Sequence, residues 1–145
     1  MLTRINAARE DREAGFTLIE LLVVVAIIAI LAVIAIPVFG ALRDNAANSA
    51  AEAEVKNAAT ALEVYYTQNS SYPAAATVGA DAGITISENV AMDYTLAGDG
   101  ASYTLAGCNV DTQQKFTWDS ATGSFTGDPV EDATLCVAAN AGAIS

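Results

Sequence analysis

Histidine is absent from the chain, and six basic residues stand against seventeen acidic ones, for a formal net charge of -11. Without histidine the chain lacks the commonest general base at neutral pH and the commonest metal-binding nitrogen. The shortage of lysine and arginine excludes a broad nucleic-acid footprint, which needs clustered cations to displace the counterions of phosphate. No phosphate-cradling glycine loop with a lysine, no nucleophile elbow and no zinc spacing occurs. These absences argue against an enzyme, and no cofactor or metal is expected. The acidic trio Asp128, Glu131 and Asp132 beside Pro129 reads as a solvated turn, because the oxygen-rich spacing of a calcium loop is missing.

Charge is scarce overall, at 16% of residues against 53% hydrophobic. The scarcity comes from an unbroken apolar run from Leu21 to Ile36, together with an alanine-rich stretch behind it. The run is preceded by Gly15-Phe16-Thr17-Leu18-Ile19-Glu20 and followed by Pro37-Val38-Phe39. As a helix, Phe16 to Phe39 extends roughly 36 Å, enough to cross a hydrocarbon core of about 30 Å. It is apolar on every side, which suits lipid or a fully buried environment rather than the surface of a globular domain. Glu20 is the exception, and a carboxylate at full membrane depth costs up to about 3 kcal/mol unless it is paired.

Part of this pattern has a local explanation. Thr17 and Glu20 form a capping box, threonine at the N-cap and glutamate three positions on. Capping does not account for the length of the run or for the Gly15-Phe16 pair before it. A secretory signal peptide fits poorly, because its apolar core is about 7 to 15 residues long. An ordinary single-pass anchor remains as an alternative.

The order of glycine, aromatic residue, glutamate, apolar run and proline resembles the class III signal of type IV pilins and pseudopilins. The resemblance implies cleavage by a prepilin peptidase between Gly15 and Phe16, and N-methylation of the new Phe16 amine. It implies an assembly role for the Glu20 carboxylate and a helix interruption at Pro37. A free amine at Phe16 would sit at the positive end of the helix dipole, and a carboxylate four residues on lies on the same face. Glu20 can therefore neutralise the amine of its own chain or of a neighbour; the resemblance implies the neighbour.

Three arginines, Arg4, Arg9 and Arg12, precede the run, and only Arg43 follows it closely. The positive-inside rule then places the N-terminus in the cytoplasm and the bulk of the chain outside. An oxidising compartment agrees with a disulfide between Cys108 and Cys136, closing a loop of roughly thirty residues. Two buried free thiols are the alternative.

Beyond Pro37, strong helix formers continue to about Gln68, and Val55, Ala59, Leu62 and Tyr66 recur as one apolar stripe. Glu52 and Lys56 form an i, i+4 pair on another face. Asn69-Ser70-Ser71-Tyr72-Pro73 ends the helix; counted from Phe16 it runs on the order of 80 Å, more than a domain of this size can bury. Asn69-Ser70-Ser71 also fits a glycosylation acceptor, a frequent chance match. Residues 74–82 read as a loop. Tyr-Thr-Leu-Ala-Gly then occurs at Tyr94 to Gly98 and again at Tyr103 to Gly107, with Asp99-Gly100 as the turn of a hairpin. A second hairpin pairs Lys115 to Trp118 with Ser124 to Thr126 through Gly123, and places Phe116, Trp118 and Phe125 against the helix stripe. Leu135-Cys136-Val137 reads as an edge strand.

The expected fold class is α+β, a long kinked N-terminal helix packed on a small antiparallel sheet. The expected division is a leader at 1–15, a transmembrane and polymerisation helix at 16–39, an amphipathic helix at 40–70 and a β-rich head at 71–145. The implied function is a type IV pilus subunit, held in the cytoplasmic membrane as a precursor and then polymerised outside the cell. Its partners would be further copies of itself, the prepilin peptidase, and the assembly platform with its minor pilins. The cysteine pair near the C-terminus is similar to that of pilins. Tyr72-Pro73 is similar to type II secretion pseudopilins, which form a short periplasmic piston. A membrane-anchored binding module that does not polymerise is the rival from another class.

Overall fold

The computed structural model describes residues 15–136 together with Ile144. Residues 1–14 of the expected leader and Val137 of the expected edge strand lie outside the described residues. The chain divides after Gly40 into two compact units.

Helix α1 runs Leu18–Asn69 and carries Pro37 inside it. Proline has no N–H to offer the carbonyl of Val33, so one rung of the helical ladder is missing there. At its C-terminal end, Asn69 Nδ2 donates to the Tyr65 carbonyl at 3.0 Å and the Ser70 N–H to that of Tyr66 at 2.8 Å. Ser70 itself is left-handed at φ 55°, the turn that ends the helix. In the first unit, the large apolar side chains from Leu18 to Phe39 are all half or more exposed, Ile34 and Ile36 among them. The helix therefore contains a segment long and apolar enough to cross a membrane, with no cover from its own unit.

In the second unit, α1 packs on one face of a five-stranded antiparallel sheet. Its strands are β1 Val90–Leu96, β2 Tyr103–Asn109, β3 Gln114–Asp119, β4 Ser124–Phe125 and β5 Val130–Glu131. β1 pairs with β2, β2 with β3, and β3 with both β4 and β5. The register sets Tyr94 opposite Leu105 and Leu96 opposite Tyr103, so both copies of the repeated pentapeptide send tyrosine and leucine to the same face. These side chains meet Val55, Ala58, Ala59 and Leu62 of α1, with Trp118 and Phe125 packed at the margin. Leu62 and Leu105 are fully buried; each such side chain contributes about 1.5–3 kcal/mol. Tyr66, placed on the stripe by spacing, stays at the rim, where its ring stacks on Tyr72 with centroids 4.6 Å apart. The hairpin turns use Gly100 at φ 68° and Gly123 at φ 64°, conformations that suit glycine.

Two local expectations are corrected. Residues 74–82 are not an open loop: Ala75–Thr77 forms a 3₁₀ turn that runs into a short helix α2, Val78–Asp81. Alanine favours helix, and Val78 is drawn into the core. The added edge strand is Val130–Glu131, while Leu135 and Cys136 lie in a turn that follows it. Asp132 forces that turn by accepting the Thr134 and Leu135 N–H groups at 2.9 and 3.0 Å, an Asx arrangement that competes with a strand.

Helix and sheet approach most closely at Gly107. A Cβ there would overlap Cγ2 of Val55, a stiff β-branched side chain that is fully buried. Gly107→Ala should therefore destabilise the head by about 1–3 kcal/mol through overpacking. In urea unfolding, the added loss from Val55→Ala should be smaller in that background than in the wild type, because the two changes share one space.

Candidate functional site

The Gly15-Phe16 pair lies directly before the start of α1. Among the described residues, a Cβ on Gly15 would meet nothing within 4 Å. Phe16 follows, with its side chain 93% exposed.

Thr17 and Glu20 close a reciprocal cap at the helix start. The Glu20 N–H donates to Thr17 Oγ1 at 3.3 Å, while the Thr17 N–H and hydroxyl donate to Glu20 Oε2 at 2.8 and 2.7 Å. Both donors converge on one carboxylate oxygen. Oε1 carries no hydrogen bond among the described residues and remains open to a further donor. Pro37 lies further along the same apolar segment.

Cys108 and Cys136 are joined, with Cα atoms 5.7 Å apart. Cys108 lies on the sheet face away from α1, in a small cluster with Ala91, Val110 and Leu135. Asp132 secures the incoming segment. Its Oδ2 accepts Lys115 Nζ at 2.7 Å, its Oδ1 accepts from Thr134 and Leu135, and its carbonyl accepts the Cys136 N–H at 3.0 Å. The Lys115 ammonium and these hydrogen bonds hold the Asp132 carboxyl well below the usual carboxylate range.

A tyrosine cluster ties the end of α1 to the sheet. Glu63 Oε1 accepts both the Tyr72 and Tyr103 hydroxyls, at 3.0 and 3.1 Å, and the Tyr94 hydroxyl donates to the Pro73 carbonyl at 3.0 Å. Burial, then the Glu63 bond and charge, push the Tyr72 phenol up to about 12. Burial raises the Tyr103 phenol further. All three hydroxyls are therefore hydrogen-bond donors at neutral pH rather than titrating groups. Sequence reasoning singled out neither Glu63 nor Asp132 for these roles, because Tyr103 and Lys115, the partners that tie them to the sheet, are distant in the chain.

The prokaryotic N-terminal methylation motif matches residues 11–36 of this chain. The match supports a type IV pilin-type, class III signal peptide, and the long helix on a small antiparallel sheet is a pilin-like α+β fold. The motif supports a pilin-like or pseudopilin protein of structural type, processed by a prepilin peptidase, and fits a membrane-anchored precursor. No curated protein matches the sequence.

The Asp132 geometry predicts an acid-sensitive segment. Its carboxyl titrates lower folded than unfolded, so its contribution is fully present above the unfolded value of about 3.9 and is lost as pH falls below that toward the folded one. Amide exchange in residues 130–136 should accelerate, relative to the β1–β2 hairpin, between pH 6 and pH 2 (about two units either side of that ordinary value). Asp132→Asn should show the faster exchange already at neutral pH and lose the acid step.

Proposed function

We propose that this chain is a structural subunit of a type IV pilus. Cleavage between Gly15 and Phe16 and methylation of the Phe16 amine release a helix whose apolar segment leaves the membrane for the core of a surface filament. The assembly platform and minor pilins guide that transfer, Glu20 pairs with the Phe16 amine of a neighbouring copy, and Pro37 is the point where the helix bends. The disulfide between Cys108 and Cys136 keeps the end of the head in place outside the cell. The observation that carries this reading is the uncovered apolar segment from Leu18 to Phe39, most of which lies within the methylation motif at residues 11–36. A surface of that extent on one chain requires lipid or other copies.

Shearing cells without detergent separates the readings. A pilus subunit is recovered as long filaments, a secretion pseudopilin stays with the cell envelope, and an anchored monomer yields no polymer. The mature protein should begin at Phe16 and carry one methyl group by mass spectrometry, and Gly15→Val should leave the leader attached. A mature chain that starts at Met1 or beyond Pro37 overturns the processing scheme.

Glu20→Ala should leave membrane insertion intact or improved, since it removes an unfavourable group from lipid. It should lower the yield of sheared filaments by more than about tenfold, in line with the loss of a desolvated charge pair. Normal filament yield from Glu20→Ala cells would refute pairing through that carboxylate.

A further inference from the structure

Two of the three basic residues in the second unit are committed within the chain: Lys56 to Glu52 at 2.8 Å and Lys115 to Asp132 at 2.7 Å. Arg43 is exposed and has no ion-pair partner among the described residues. Among the described basic side chains of this unit, the Arg43 guanidinium is therefore the cation left to meet another copy.

A cleft of about 180 Å³ in the same unit has the chemistry to receive it. Glu52 of α1, Phe116 of β3, Phe125 of β4, and Asp128 with Pro129 of the β4–β5 turn line it. The two phenylalanine rings meet edge to face with centroids 6.4 Å apart. One of these rings already meets a cation, since Lys56 Nζ lies 5.2 Å from the centre of the Phe125 ring. Lys56 uses Glu52 Oε1 and leaves the Asp128 carboxylate without an ion-pair partner among the described residues. What remains is surplus negative charge beside half-buried aromatic rings. A guanidinium suits such a site better than an ammonium, because it is planar, weakly hydrated and able to stack while its N–H groups meet a carboxylate.

We propose that this cleft is a docking site for the Arg43 guanidinium of a second copy. The proposal rests on the polymer reading above and adds a contact between heads to it. A chain cannot fill its own cleft from Arg43, which lies nine residues before Glu52, about 13 Å along the helix. A parallel neighbour offset by that distance brings its Arg43 level with Glu52. Each copy then donates one guanidinium and receives one, a head-to-tail contact that propagates along a filament.

The test uses the full chain in cells. Arg43→Glu should leave leader cleavage and membrane retention at wild-type levels while lowering sheared filament yield about tenfold, because it sets like charges against each other. Asp128→Arg in that background should restore most of the yield. Independently, Arg43→Cys with Asp128→Cys should give a ladder of covalent multimers on non-reducing gels, whereas Arg43→Cys with Asp99→Cys should give none. If the wild type makes no filaments, the polymer reading falls and this contact falls with it. If the wild type polymerises and Arg43→Glu does so equally well, or Asp128→Arg fails to rescue and no ladder forms, the contact alone is refuted. Loss of membrane retention in Arg43→Glu without a ladder would assign the guanidinium to lipid headgroups and overturn the proposal.

Discussion

An apolar surface that its own unit leaves uncovered is the constraint on which the rest of the structure depends. Large side chains from Leu18 to Phe39 are half or more exposed, and each Å² of apolar surface left in water forgoes about 25 cal/mol. A helix is the form in which such a segment can lie in lipid, because all of its backbone groups but those at the ends are satisfied within it. Pro37 is the internal exception. Its missing N–H leaves a carbonyl to be satisfied by other means in a segment otherwise complete in itself. The polar groups near the start of the segment are handled locally, by the Thr17–Glu20 cap.

The second unit has the opposite problem, building a core from few large apolar side chains. It does so by close approach. Ala51, Ala58 and Ala59 on α1 and Gly107 on β2 bring helix and sheet near enough for Val55, Leu62, Met92 and Leu105 to be buried almost completely. The far face of the sheet has a much smaller apolar cluster, around Ala91 and Cys108. There the disulfide and Asp132 supply what packing does not. A loop of this size closed by a disulfide contributes about 3 to 4 kcal/mol in the chain-entropy model, a large share of the stability expected of a small domain.

The helix, the two hairpins and the face of the sheet that meets the helix were legible in the sequence because they rest on short periods. Val55, Ala59 and Leu62 repeat at helical spacing, and the tyrosine and leucine of Tyr-Thr-Leu-Ala-Gly repeat at strand spacing. The order of glycine, aromatic residue, glutamate and apolar run was legible as a motif, and the match at residues 11–36 includes it. What escaped were side chains whose roles are set across long separations. Glu63 gathers hydroxyls from residues 9 and 40 positions away, and Asp132 takes Lys115 from 17 positions back. Residues 74–82 were misread because runs of small residues carry no period. Their helical turns follow from alanine propensity and from the burial of Val78.

The carboxylates of this chain follow one rule. Where a carboxylate has structural work, its partners are neutral donors or a single lysine: Thr17 for Glu20, tyrosines for Glu63, a backbone N–H from Ser87 for Glu54, and Lys115 with a turn for Asp132. Neutral donors stabilise an anion without cancelling its charge, so satisfying these groups leaves the chain as acidic as before. Two acidic heads brought together therefore repel unless cations lie between them, and at 0.1 M salt screens that repulsion largely beyond about 10 Å, not at contact. The exposed apolar segment favours association and the head charge opposes it. In the proposed filament, contact between copies is then concentrated where the helix is bare, and the proposed meeting of Arg43 with a carboxylate is what lets the heads lie side by side.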